Sequence, residues 1–255
     1  MIELLDRKNT LRLNKTFASA IVDFQHVQYN PDSPDNIYEP GEMYMDDSDE
    51  PRFVSQKECD ELNREARREY EIKRDVSDVI SIKDNFAGTL IYSAPNSDID
   101  TYELNLANSI NKLSAGLKWD SVIVILDYST PWLSQENDYK PADNALKYLK
   151  SLGVDKDFVG GFKISGVQLT EFFQHLFWIT RCNASLPYCY FSGVNNRFVA
   201  TICKYGNVHF DFYSDDEKNE FKKVAEQIGL VRHTDNNCYE NFSDTGEIKG
   251  RQIII

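Results

Sequence analysis

No stretch of this 255-residue sequence is apolar for longer than Val122–Leu126, about a quarter of the roughly 20 residues a membrane-crossing helix needs. The opening residues MIELLDRKN carry acids early and lead into no apolar segment of signal-peptide length. Both features point to a cytoplasmic protein without a membrane partner. Signatures of nucleotide, acyl and metal chemistry are missing too: there is no Walker A loop, no GxGxxG after a strand, no GxSxG elbow and no HExxH. Gly160-Gly161 reads as a flexible turn, and no cofactor is expected. The nuclease pattern PD-(D/E)xK fails at Lys163, because Gly161 stands where an acid is required. Cysteine is sparse and irregular. The five residues Cys59, Cys182, Cys189, Cys203 and Cys238 form an odd set without framework spacing, which fits reduced thiols. The sequons at Asn14, Asn183 and Asn241 are then chance matches.

One segment lacks positive charge altogether. Between Pro31 and Pro51 there is no Lys, Arg or His, against eight carboxylates: Asp32, Asp35, Glu39, Glu42, Asp46, Asp47, Asp49 and Glu50. The chain sums to -13, and without these eight it would stand at -5. A pI near 4.8 argues against nucleic acid as a general partner, since phosphate binding needs clustered cations. A local excess of anions suits a basic protein partner. Tyr29, Ile37, Tyr38, Met43, Tyr44 and Met45 are interleaved with the acids. Aromatic anchors of this kind dominate interface energy, while carboxylates raise the encounter rate. The candidate partner-binding residues are therefore Asp35, Tyr38, Glu39, Glu42, Tyr44, Asp46, Asp47 and Asp49. The plainer alternative is a solvated loop whose aromatics tack it to its own domain.

Hydrophobic residues at 41% and aromatics at 13% require a buried core. Residues 1–30 fit a helix through Phe17, Ala20, Ile21 and Phe24 and a strand through Ala20, Val22 and Phe24. Pro31, Pro34, Pro40 and Gly41 break up the acidic stretch into a loop or arm. Ser55 and Glu58 have capping-box spacing and open a charged helix to about residue 74. Strands near 86–93, 121–128 and 158–164 then alternate with helices near 101–115, 141–152 and 167–181. That order predicts an α/β fold (α+β being the neighbouring class) with a mixed sheet built from βαβ units. A three-stranded antiparallel meander follows at 187–193, 197–204 and 207–213, turning at Asn195-Asn196 and Gly206-Asn207. Its alternation places Val199, Thr201, Cys203, Val208, Phe210 and Phe212 on one face, with His209, Asp211 and Tyr213 on the other. Ser214 and Glu217 open a last helix to Ile228, and Ile253–Ile255 suggest a final strand. The expected organisation is an N-terminal segment, 1–78, carrying the arm at 31–51 and the helix at 55–74, before an α/β domain, 79–255.

Asp127 is the leading catalytic candidate, because it ends the apolar strand and open α/β sheets place ligands beyond strand carboxyl ends. The residues after it, Tyr128-Ser129-Thr130-Pro131-Trp132, would supply hydroxyls and an aromatic wall. With His209 and Asp211 it outlines a hydrolase. The bland alternatives are an Asp accepting turn hydrogen bonds and two polar residues on the wet side of a sheet. Glu171 and His175 on the 167–181 helix read as a surface pair beside a buried Cys182. Cys182, Cys189, Cys203 and His209 are separated by seven, fourteen and six residues, which is not the paired spacing of a zinc site, so no metal is expected. Leu169, Phe172, Phe173, Leu176, Phe177 and Ile179 mark that helix as core. The charge pattern favours a cytoplasmic acidic binding protein that docks on and neutralises a basic partner, like an inhibitor or toxin-immunity protein. A hydrolase around Asp127 and a structural subunit of a larger assembly are the alternatives.

Overall fold

Residues 1–45, 51–75, 86–95, 98–183, 188–234, 237–240, 242–243 and 245–251 are described by a computed structural model. The N-terminal residues form a strand β1 (Ile2–Leu5) and helices α1 (Arg7–Arg12) and α2 (Lys15–Tyr29). The Asp6 and Asn14 side chains cap the two helices by accepting from Asn9 N and Phe17 N. The helical pattern of Phe17 and Ile21 prevails, and both are buried.

The arm carries a short antiparallel strand pair, β2 (Met43–Met45) with β3 (Pro51–Phe53). The prolines and Gly41 predict a loop throughout, yet β2 lies past Gly41 and β3 places Pro51 at its first residue, where a strand tolerates it. Ser55 then opens α3 (Gln56–Lys73) with both halves of its capping box formed. Strand β4 (Gly88–Ser93), helix α4 (Ile99–Gly116), strand β5 (Val122–Leu126), helix α5 (Lys140–Ser151), strand β6 (Gly161–Ile164) and helix α6 (Gln168–Cys182) follow as expected. The meander is β7 (Cys189–Gly193), β8 (Phe198–Ile202) and β9 (Val208–Phe212), and α7 (Asp215–Gln227) is capped by Ser214. Its capping box is half formed, because Glu217 accepts from Arg197 N instead. A three-residue strand β10 (Val231–His233) closes the described elements. The expected strand at Ile253–Ile255 lies outside the described residues.

Eight strands form one sheet in the order β1-β6-β5-β7-β8-β9-β4-β10. Every pairing is antiparallel, so the α/β class stands but the βαβ units with parallel neighbours do not. Alternating strand and helix is a pattern along the chain and leaves open which strands become neighbours. β6 and β7 do run in the same direction across α6, but β5 lies between them. β4 and β5, joined through α4, are separated by the whole meander.

β5 is central and covered on both faces. Val122, Val124 and Leu126 join the larger core, with Leu106, Leu149, Phe173 and Phe221 from α4, α5, α6 and α7. Ile123 and Ile125 face the other way, into a smaller core with Leu11, Phe17, Ile21, Tyr190 and Val199. Residues 1–29 thus supply an edge strand to the same sheet and a helix to its second face, while the expected boundary at 78/79 falls outside the described residues.

The meander register differs from the expected one. Val199 pairs with Asp211 and Thr201 with His209, while Ala200 pairs with Phe210. Directly paired residues share a face, so Val199, Thr201 and Cys203 lie on the side of His209 and Asp211. Phe210, Phe212 and Val208 lie on the other. A one-residue slip in an assumed turn inverts every side chain. Here the second turn spans 203–207, with Gly206 at φ +82° and Cys203 N donating to Asn207 O.

Candidate functional site

The end of β5 is tied down from three directions. Arg7 of α1 is 8% exposed and forms a bidentate pair with Asp75, just past α3, at 2.7 to 3.0 Å. The same guanidinium donates to the carbonyls of Asp127 and Tyr128, each at 3.1 Å. Gln25 of α2 donates to the Asp127 carbonyl as well and exchanges two hydrogen bonds with Asp75. Charge-assisted bonds of this kind fix geometry, so they tie the end of β5 to α1, α2 and the residues just past α3.

Asp127 itself is fully buried. Its Oδ2 accepts from the Tyr29 hydroxyl at 2.8 Å, and among the described residues its Oδ1 has no partner. Burial pushes its carboxyl up to about 7, opposed by the Tyr29 hydrogen bond and the Arg7 charge. The Tyr29 ring stacks on Tyr128 at 4.4 Å. Asp127 therefore sits behind a two-tyrosine wall.

On the open side of that wall lies a cleft of about 850 Å³ between the arm, α3 and the loop after β5. Tyr29, Tyr38, Tyr70 and Tyr128 line it together with Asp35, Glu42, Glu69 and Lys73. Lys73, the only cation among the described residues of the lining, bonds to Glu69 and stands 5.7 Å over the Tyr128 ring. The arm is clamped to α3 by Asn63, which donates to Tyr38 O at 3.0 Å and accepts from Tyr38 N at 2.9 Å. Asp32 pairs with Arg67 of the same helix at 2.9 Å, with both side chains more than half exposed. An ion pair so exposed is worth at most about 1 kcal/mol, so it answers one of the arm's charges weakly. Among the described residues Asp35, Glu39 and Glu42 form no ion pair. Glu42 accepts from Glu39 N at 3.1 Å, within the arm. Tyr44 belongs to β2. Asp46, Asp47 and Asp49 lie outside the described residues.

His209 and Asp211 are not brought to Asp127. Ile125, Tyr190, Thr201 and His209 form one row across β5, β7, β8 and β9, which puts about 14 Å between the first and the last. Asp211 lies beyond His209 along β9, and its Oδ1 accepts from Thr89 Oγ1 at 2.6 Å. His175 stacks on Tyr148 at 4.1 Å, and Cys182 is buried with its thiol toward Lys249 O.

His209 has another neighbour. Its Nε2 lies 2.7 Å from Cys238 Sγ, and Cys238 Sγ lies 3.7 Å from Cys203 Sγ. The hydrogen bond from Cys203 and the nearby His209 draw the Cys238 thiol down, and Cys203 as the donor is raised. Of the four residues first weighed as zinc ligands, Cys203 and His209 do meet. Cys238, 29 residues beyond His209, completes the group, which Cys182 and Cys189 do not join. Its signal in the sequence was the register of the meander, which had to be right before Cys203 and His209 could share a face.

Among the described residues no helix is long and apolar enough to cross a membrane. No family model, curated protein or solved structure matches this chain.

Proposed function

We propose that this protein binds a basic protein partner and takes one of its cationic side chains into the tyrosine-lined cleft between the arm and α3. The observation that carries this reading is the lining itself: among its described residues three carboxylates stand against one lysine, and that lysine is already bonded to Glu69. A cation entering there meets Asp35 and Glu42 beside tyrosine rings, and a cation over such a ring is attracted by about 0.5 to 2 kcal/mol depending on desolvation. Lys73 over Tyr128 is the molecule's own instance of that contact. The remaining acids of the arm act at longer range, raising the encounter rate with a basic surface. Neutralising that partner in the cytoplasm, as an inhibitor or immunity protein does, follows if the partner's cation is one it needs for its own activity.

The test uses the full chain as bait in a lysate of its native cells, beside an Asp35→Asn/Glu42→Gln double variant and a Tyr38→Ala variant. Captured partners should be basic. Binding of such a partner by the double variant should weaken at least tenfold, mostly through a slower association rate and a shallower salt dependence. Tyr38→Ala should act mainly on dissociation. If the intact chain and both variants capture the same polypeptides equally, the cleft is not the binding site.

A further inference from the structure

We propose that Cys203, His209 and Cys238 form a zinc site with a fourth position open to the cavity beside them. The three donor atoms lie within 4.8 Å of one another. In a tetrahedral site with Zn–S bonds of about 2.3 Å, two thiolates stand about 3.8 Å apart. Cys203 and Cys238 stand 3.7 Å apart, so the sulfur edge of the tetrahedron is already set. The matching S···N edge is about 3.6 Å, against 2.7 Å observed between Cys238 and His209. The imidazole needs to back away by about 0.9 Å when a metal ion takes the place of the shared proton.

The scaffold holds these donors with little freedom. His209 sits inside β9, paired with Thr201 on one side and Ile91 on the other. Cys203 opens the turn to Asn207, where Gly206 has φ +82° and an added Cβ would meet Tyr102 and Phe177 at 2.8 to 2.9 Å. Cys238 lies outside regular structure, yet its neighbours are pinned. Asn207 Nδ2 donates to Tyr239 O at 3.4 Å. Glu240 forms an ion pair with Arg181 in which both side chains are more than nine-tenths buried. Arg181 also donates to Lys204 O, at 2.9 Å, so one guanidinium fixes the Cys238 segment against the turn that carries Cys203.

The cavity is a second, independent observation. It has a volume of about 330 Å³ and is lined by all three donors together with Asn183. Asn183 is 4% exposed, and neither atom of its amide has a partner among the described residues. Buried amides left this way call for a water or ligand. Among the described residues three protein ligands lie beside this space, the arrangement of zinc sites with an exchangeable fourth ligand, whereas closed structural sites use four.

The experiment titrates the reduced, metal-free full chain with Co²⁺, which reports thiolate ligation by charge-transfer absorption and tetrahedral geometry by its visible bands. One equivalent should produce both signals, Zn²⁺ should bleach them, and azide should shift the visible bands through the open position. Cys238→Ser and His209→Gln should each weaken Co²⁺ binding at least tenfold, whereas Cys182→Ser, outside the group, should leave it unchanged. Absence of charge-transfer bands in the unmodified chain overturns the site, as does undiminished Co²⁺ affinity in Cys238→Ser. Isolation of a Cys203–Cys238 disulfide from cells grown with ample zinc overturns it too. Visible bands indifferent to azide overturn the open fourth position.

Discussion

The carboxyl of Asp127 is fully buried, and burial lifts its pKa to about 7 from an ordinary 3.8. Arg7 and the Tyr29 hydroxyl face it and favour its charged form, while the buried Cys189 and Tyr190 stand close enough to feel that charge as a further rise in their own pKa. A carboxyl raised on folding holds its proton more tightly in the native state. Its contribution to stability is therefore complete below the unfolded pKa near 4 and is lost as pH climbs through 7. The loss reaches at most about 4 kcal/mol at about 1.4 kcal/mol per unit. Asp127→Asn keeps an oxygen for Tyr29 and removes the titration. In urea unfolding, the stability of the variant relative to the unsubstituted chain should rise between pH 4 and 7 and then level. A difference that stays flat over that range would mean that Asp127 is ionised in the native state throughout. The strand-end position of this residue was legible from the apolar run before it. Its closure behind Tyr29 was not, because that contact joins residues 98 apart in sequence.

At the scale of elements, local signals were reliable wherever an element carries its own reason to form. The capping box at Ser55, the Pro141 first turn of α5 and the five buried residues of β5 each encode a boundary or a burial state locally. β1 and β10, of four and three residues, have no such signal, since an edge strand this short exists only by pairing with β6 or β4. The register of the meander belongs to the same class of information. α6 gives the sharpest energetic expectation, because Phe173 and Leu176 are each 1% exposed and sit in the main core between the sheet, α4 and α5. Leu176→Ala should cost about 2 to 5 kcal/mol through lost burial and the cavity left behind. Ser55→Ala at the exposed start of α3 should cost about 1 kcal/mol. Chemical denaturation of both variants checks the ranking. If the Leu176→Ala midpoint moved no further than the Ser55→Ala midpoint at unchanged slope, the central place of α6 would be wrong.

For the whole molecule, strand order decides what can fold alone. The charge pattern drew attention to residues 31–51 as if they hung from a self-sufficient domain, but the sheet runs through the N-terminus. β1 covers the edge of β6, and α2 covers Ile123, Ile125 and Val199. Exposing those three aliphatic side chains alone costs about 5 to 9 kcal/mol at 1.5 to 3 kcal/mol each. That is comparable with the 5 to 15 kcal/mol by which an entire domain is stable, before the loss of Arg7 and Gln25 from the end of β5 is counted. A chain beginning at residue 79 should therefore fail to unfold cooperatively on heating. It should bind a hydrophobic dye strongly and self-associate through the bared β6 edge. A chain lacking only residues 31–51, with α3 rejoined to α2 through a short flexible linker, should keep a single transition, because the described part of that segment packs against α3 and the Val54 backbone and contributes no residue to either core. Cooperative melting of the 79–255 chain near the midpoint of the full protein would show that the second face of the sheet needs no cover, and the N-terminal helices would then have to be explained by the cleft they help to build.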